Sequence, residues 1–135
     1  MPRVQAVVLP LLRAGLAEAY PTLHVSTWVP DVDHRTFPLL NVRRLGGIST
    51  DPRRLELAVI EMTAFSADGL VATENLYLDA RHVLVEAQAH QTVTEQGYIH
   101  SFFETMGPTQ FDSTFDDTWR IQGLIQLGVR PRRGS

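Results

Sequence analysis

Residues 117–133, DTWRIQGLIQLGVRPRR, alternate along their length. Trp119, Ile121, Ile125, Leu127 and Val129 share one side, with Gly123 interrupting, while Thr118, Arg120, Gln122, Gln126 and Arg130 fall mostly on the other. A period of two is what a half-buried strand requires, because successive side chains point to opposite faces of a sheet. Such a strand spans roughly 40 Å at about 3.3 Å per residue. It carries a polar face of arginine and glutamine that must look at something.

Upstream, Val4, Val7, Val8, Leu11, Leu12 and Leu16 recur at the helical period and predict a helix over 4–19, closed by Pro21. Pro10 removes one backbone hydrogen bond, so the helix either kinks there or begins there. Residues 23–29, LHVSTWV, alternate as a strand, and PDVDHRTFP is a loop between Pro30 and Pro38. A second strand, 39–45, is ended by Gly46 and Gly47, with STDPRR as turn chemistry. The third strand, 54–65, has Leu55, Leu57 and Val59 on one side and Ile60 and Met62 on the other, which places it centrally.

After Asp68 and Gly69, residues 70–91 read as the main helix, with Leu76, Ala80, Val83, Leu84 and Ala87 as its buried stripe. A fourth strand over 98–104 follows Gly97. The segment TMGPTQFDS, 105–113, reads as a loop around Gly107-Pro108, and the alternating strand closes the fold. The predicted class is α+β in the order α-β-β-β-α-β-β. Short connections imply antiparallel pairing, and two helices with one apolar stripe each cover one face of the sheet. Residues 1–131 form a single domain and 132–135 a flexible tail.

Composition narrows the function classes. At 135 residues, 44% hydrophobic and 20% charged, the chain suits one globular domain. It has no cysteine, which excludes disulfides and thiolate zinc sites and fits an intracellular protein. All 12 basic residues are arginine, as a GC-rich coding genome produces, and the net charge of −3 argues against an extended nucleic-acid footprint. The apolar run from Val4 to Leu12 is too short to span a bilayer and lacks a signal-peptide pattern, so no membrane association is expected.

The candidate chemistry is sparse. Asp31, Asp33 and His34 offer oxygen and imidazole ligands to a divalent metal, against the plainer reading of a solvated turn. His82 and His90 stand two helical turns apart, too far to share a metal as an i, i+4 pair would. Asp112, Asp116 and Asp117 could split their pKa values for acid–base work, against turn and capping duty. No nucleophile elbow, dinucleotide loop or phosphate loop is present, and Ser101 next to His100 points to the opposite strand face. Arg43-Arg44, Arg53-Arg54 and Arg130, Arg132 and Arg133 could track phosphates if they converged. The residues themselves therefore leave a small ligand- or metal-binding domain, a nucleic-acid module and a non-enzymatic interaction protein as readings, with no cofactor required.

VRRLGG (42–47), GYIHSFFETMGPTQFDSTFDDTWR (97–120) and IQGLIQLGVRP (121–131) resemble the tail terminator proteins of long-tailed bacteriophages, actinobacteriophage versions in particular. The resemblance implies a non-enzymatic virion protein with helices on one side of an antiparallel or mixed sheet. It also implies a homohexameric ring made in the host cytoplasm and placed at the head-proximal end of the tail. There it would cap the tail tube, stop its polymerisation and meet the head–neck connector, with DNA passing through the lumen without specific binding. Another head–tail connector or stopper ring would share this frame. Within a ring, Arg43, Arg44 and Arg120 are expected to meet a neighbour's carboxylates, drawn from Glu104, Asp112, Asp116 and Asp117, because the guanidinium fork bonds carboxylates in pairs. Pairing within the same sheet is the alternative for Arg120. Met106, Gly107, Pro108, Gln110 and Phe111 are the expected contact loop for tube or connector, with Phe111 as an aromatic anchor or else packed in its own core.

Overall fold

The computed structural model describes residues 3–27, 37–51, 55–113 and 117–132. Asp31, Asp33, His34, Arg53, Arg54, Asp116 and the tail from 133 onward lie outside the described residues. The elements run α1 (Val4–Leu16), β1 (His24–Ser26), β2 (Leu39–Asp51), β3 (Leu55–Ser66), α2 (Leu70–Ala89), β4 (Tyr98–Phe111) and β5 (Trp119–Arg130). This is the predicted α-β-β-β-α-β-β order.

The five strands form one mixed sheet in the order β1-β2-β3-β5-β4. The third strand is central, as its two apolar sides require. Pairing is antiparallel throughout except at β1, which runs parallel to β2 with Val25 opposite Leu40. A mixed sheet is one of the two arrangements expected, and the antiparallel pairing expected from short connections fails only at β1. The link from β1 to β2 is about a dozen residues, long enough for the chain to return and start again in the same direction.

Two further boundaries differ from expectation. Gly46 and Gly47 do not end the second strand: β2 continues to Asp51 through a register shift between Arg44 and Gly46. Gly46 takes φ 154°, which a glycine accepts without cost, so the pair bends the strand rather than stopping it. Met106, Gly107, Pro108, Gln110 and Phe111 are not a loop either. They belong to β4, which is 14 residues long and pairs with β5 from Tyr98–Arg130 to Phe111–Arg120. Gly107 and Pro108 fall in a register shift between Met106 and Thr109, where the ladder does not need the missing proline donor. β4 is an edge strand, and two more shifts interrupt it at Ile99/Ser101 and Glu104/Met106.

Both helices cover one face of the sheet. Val4, Val8, Leu12 and Leu16 of α1 and Leu76, Tyr77, Ala80 and Leu84 of α2 bury against Leu40, Val42, Ile60, Met62, Ile121, Ile125 and Leu127. Pro10 lies inside α1 on its exposed side, and the helix passes through it. The guanidinium of Arg13 bonds the carbonyl of Val25 at 2.9 Å, tying α1 to β1. Full burial of each large aliphatic side chain contributes roughly 1.5–3 kcal/mol, so this single layered core carries most of the stability.

Candidate functional site

Among the described residues no helix lies over the other face of the sheet. Strand register brings its residues into rows. Leu39, Phe65, Arg120 and Phe111 form one row; Asn41, Thr63, Gln122 and Thr109 the next; Arg43, Glu61, Leu124 and Met106 the third. Val59, Gln126 and Phe103 form a fourth. The first two rows are largely buried, at Leu39, Asn41, Thr63, Phe65 and Gln122. The last two are open, and Phe103 at the edge is 64% exposed.

The polar side of β5 thus looks across the sheet at its own neighbours. Arg120 holds its guanidinium carbon 5.4 Å from the centre of the Phe111 ring and donates to the Gln122 amide oxygen, which also accepts from the Thr63 hydroxyl at 3.3 Å. A cation over an aromatic face contributes about 0.5–1 kcal/mol at a partly exposed site. Phe111 is therefore half wrapped by Arg120 and still 37% exposed. Arg43 pairs with Glu61 directly opposite it, at 3.2 Å. The exposed position of Arg43 limits that pair to a small contribution to stability.

The predicted interface residues fall in different places. Arg43 and Arg120 share the open face, whereas Arg44 stands opposite Ile60, on the side that the helices cover. Glu104 is also on the helix side, opposite Ile125, and is engaged within the chain. Its carboxylate accepts from the Arg81 guanidinium at 3.0 Å and from the Tyr77 hydroxyl at 3.1 Å. Burial and the Glu104 charge hold the Tyr77 phenol above its ordinary pKa. Asp112 and Asp117 are exposed at the turn from β4 to β5. Glu61 and Phe103 escaped the sequence reading; the polar-apolar alternation of β3 held the signal for Glu61, once β2 is paired beside it.

A shallow groove of about 410 Å³ lies between α1 and α2, lined by Leu11, Ala14, Gly15, Val83 and Ala87 with His82, Glu86 and His90 at its rim. Glu86 stands between the two histidines, 3.1 Å from the His90 ring nitrogen and 4.0 Å from that of His82. Among the described residues no cluster of three His, Cys, Asp or Glu could hold a metal ion, and no helix is long and apolar enough to cross a membrane. The described surfaces offer contact area and charge rather than a reaction centre.

Comparison with known proteins agrees. In the virion of a native gene transfer agent (GTA) particle, one chain superposes with a TM-score of 0.55 at 16% identity, covering 94% of both chains, which establishes a shared fold. The Gene 22 protein of Mycobacterium phage D29 is 52% identical over 137 aligned residues, covering 100% of this chain and 97% of that protein. The Gene 22 protein of Mycobacterium phage L5 is 53% identical, covering 98% and 96%. The family model described as phage tail termination protein matches residues 1–135. The chain belongs to the phage tail termination protein family, a family of structural phage tail proteins and not of enzymes.

Proposed function

We propose that the chain forms a homohexameric ring at the head-proximal end of the tail, where it caps the tail tube, stops its polymerisation and meets the head–neck connector. DNA passes through the lumen without specific binding. The whole-chain family match carries this reading. A sheet face whose last two rows are open, with Arg43 and Phe103 exposed on it, supports it, since a ring subunit needs a contact surface beyond its own core.

In that ring Arg43, Arg44 and Arg120 belong to the intersubunit contact. Asp112 and Asp117, both exposed, offer carboxylates to a neighbour's arginines, and the far end of β4, from Met106 to Phe111, meets the tube or connector. Thr109, Gln110 and Phe111 pair with Gln122, Ile121 and Arg120, at the end of β4 away from Phe103, which supports a contact separate from that row.

The test is native mass spectrometry across protein concentration, with negative-stain imaging of the same sample. A closed six-membered ring with a central hole is expected, and its addition to polymerising tube protein shortens the tubes. A stable two-fold dimer without a ring overturns the reading, because an isologous contact consumes the surface a ring needs.

A further inference from the structure

We infer that the open face of the sheet docks the outward side of α2 from a second copy of this chain, head to tail. The inference rests on the ring reading and names its contacting surfaces.

Two observations on the open face point to a partner. Phe103 stands 64% exposed beside the half-buried Val59 and Leu124, an apolar strip with nothing described above it. Charge is also one-sided: Arg43, Arg120 and Arg130 stand against Glu61 alone among the described side chains of the face.

The outward side of α2 is complementary. Val71 and Val85 are exposed on one side of the helix, 71% and 36%, and Leu78 stands between them at the same seven-residue spacing, half-buried against the edge of the core. Glu74 and Glu86 are exposed beside the stripe, and the one arginine of the helix, Arg81, is already committed to Glu104. Packing this stripe on the Phe103 strip buries apolar side chains from both copies and sets carboxylates against guanidinium groups. Packing two open faces together would oppose arginine to arginine. The two surfaces lie on opposite sides of the sheet layer, so the contact is heterologous and adds copies in one direction until the rotation closes.

The absence of cysteine makes the test direct. One preparation carries Phe103→Cys, a second Val85→Cys and a third Val71→Cys; these positions are exposed, so the variants fold. Each is oxidised alone and in pairwise mixtures, and non-reducing gels are read beside native mass spectra of the unmodified protein. Disulfide-linked dimers in the mixture of Phe103→Cys with one of the two helix variants, which lie about 21 Å apart along α2, and none in a single preparation, are expected. Phe103→Cys linking to itself overturns the inference in favour of face-to-face contact. A ring in the mass spectrum without mixed disulfides overturns the surface assignment and leaves the ring standing. A monomer without disulfides overturns the docking, and the ring reading is then judged separately by whether the protein enters assembled tails.

Discussion

The phenol of Tyr77 occupies the space that a side chain at residue 123 would fill. A Cβ built on Gly123 would overlap the Tyr77 hydroxyl, come within 2.6 Å of its ring carbon and lie 2.9 Å from the Met106 carbonyl. The gap in the apolar stripe of β5 is thus the socket for a tyrosine from α2. The same hydroxyl then reaches Glu104 on the edge strand, so one side chain connects the helix to both β5 and β4.

Gly123→Ala should therefore destabilise the fold by about 1–3 kcal/mol, the usual cost of overpacking a filled core. Urea unfolding measures it as a lower midpoint with an unchanged slope.

Removing the acceptor at the other end of that hydroxyl should have a comparable effect. Glu104→Ala leaves the Tyr77 hydroxyl without its bond and Arg81 without its partner. A hydrogen bond to a charged group contributes about 1.5–3 kcal/mol, and partial exposure of the Arg81 pair places the loss toward the low end. A double-mutant cycle of Glu104→Ala with Arg81→Ala should show non-additive losses.

Alkaline pH should weaken the protein through its tyrosines. Burial and the adjacent Asp79 push Tyr20 up to about 12, and burial beside Glu104 raises Tyr77 further. A phenol whose folded pKa is raised retains its proton in the native state while the unfolded chain loses it near pH 10. Stability is thus full below about pH 10 and declines as pH rises toward 12 and beyond. Thermal melts from pH 9 to 12 should show the decline, and Tyr77→Phe should flatten it.

Gly15 gives a prediction of sign. A Cβ there would meet both γ-methyls of Val83 at 2.7 Å, across the contact between α1 and α2. Alanine gains about 1 kcal/mol over glycine in a helix, against an overpacking cost of about 1–3 kcal/mol. Gly15→Ala should destabilise the natural protein and stabilise a Val83→Ala background, as paired unfolding curves would reveal.

Phe111→Ser should leave the chain folded, because the ring is already partly exposed and its main described ring partner is the Arg120 guanidinium. A loss of about 1 kcal/mol with retained circular dichroism is expected. Loss of tube binding by the folded variant would mark Phe111 as an anchor; general unfolding would instead make it a core residue.

Periodicity carried the two helices, the central third strand and the alternating fifth, because each has a long apolar stripe against the core. It failed where backbone geometry outweighed composition. Gly46-Gly47 and Gly107-Pro108 look like turns, yet both lie within strands at shifts of register, where an unpaired residue is tolerated. The open face was half legible: the arginines of β2 and β5 stood out, but their partners did not. Glu61 and Phe111 become neighbours of Arg43 and Arg120 only when strands distant in sequence are laid side by side.

The three interruptions of β4 have a consequence for the free edge of the sheet. A straight outer strand of 14 residues would offer a long row of unpaired backbone groups on which another chain could grow, sheet upon sheet, into a fibre. Shifts after Ile99, Glu104 and Met106 break that row into short pieces, and Pro108 removes a donor from it. The outer edge thus presents no continuous ladder on which a second chain could extend the sheet.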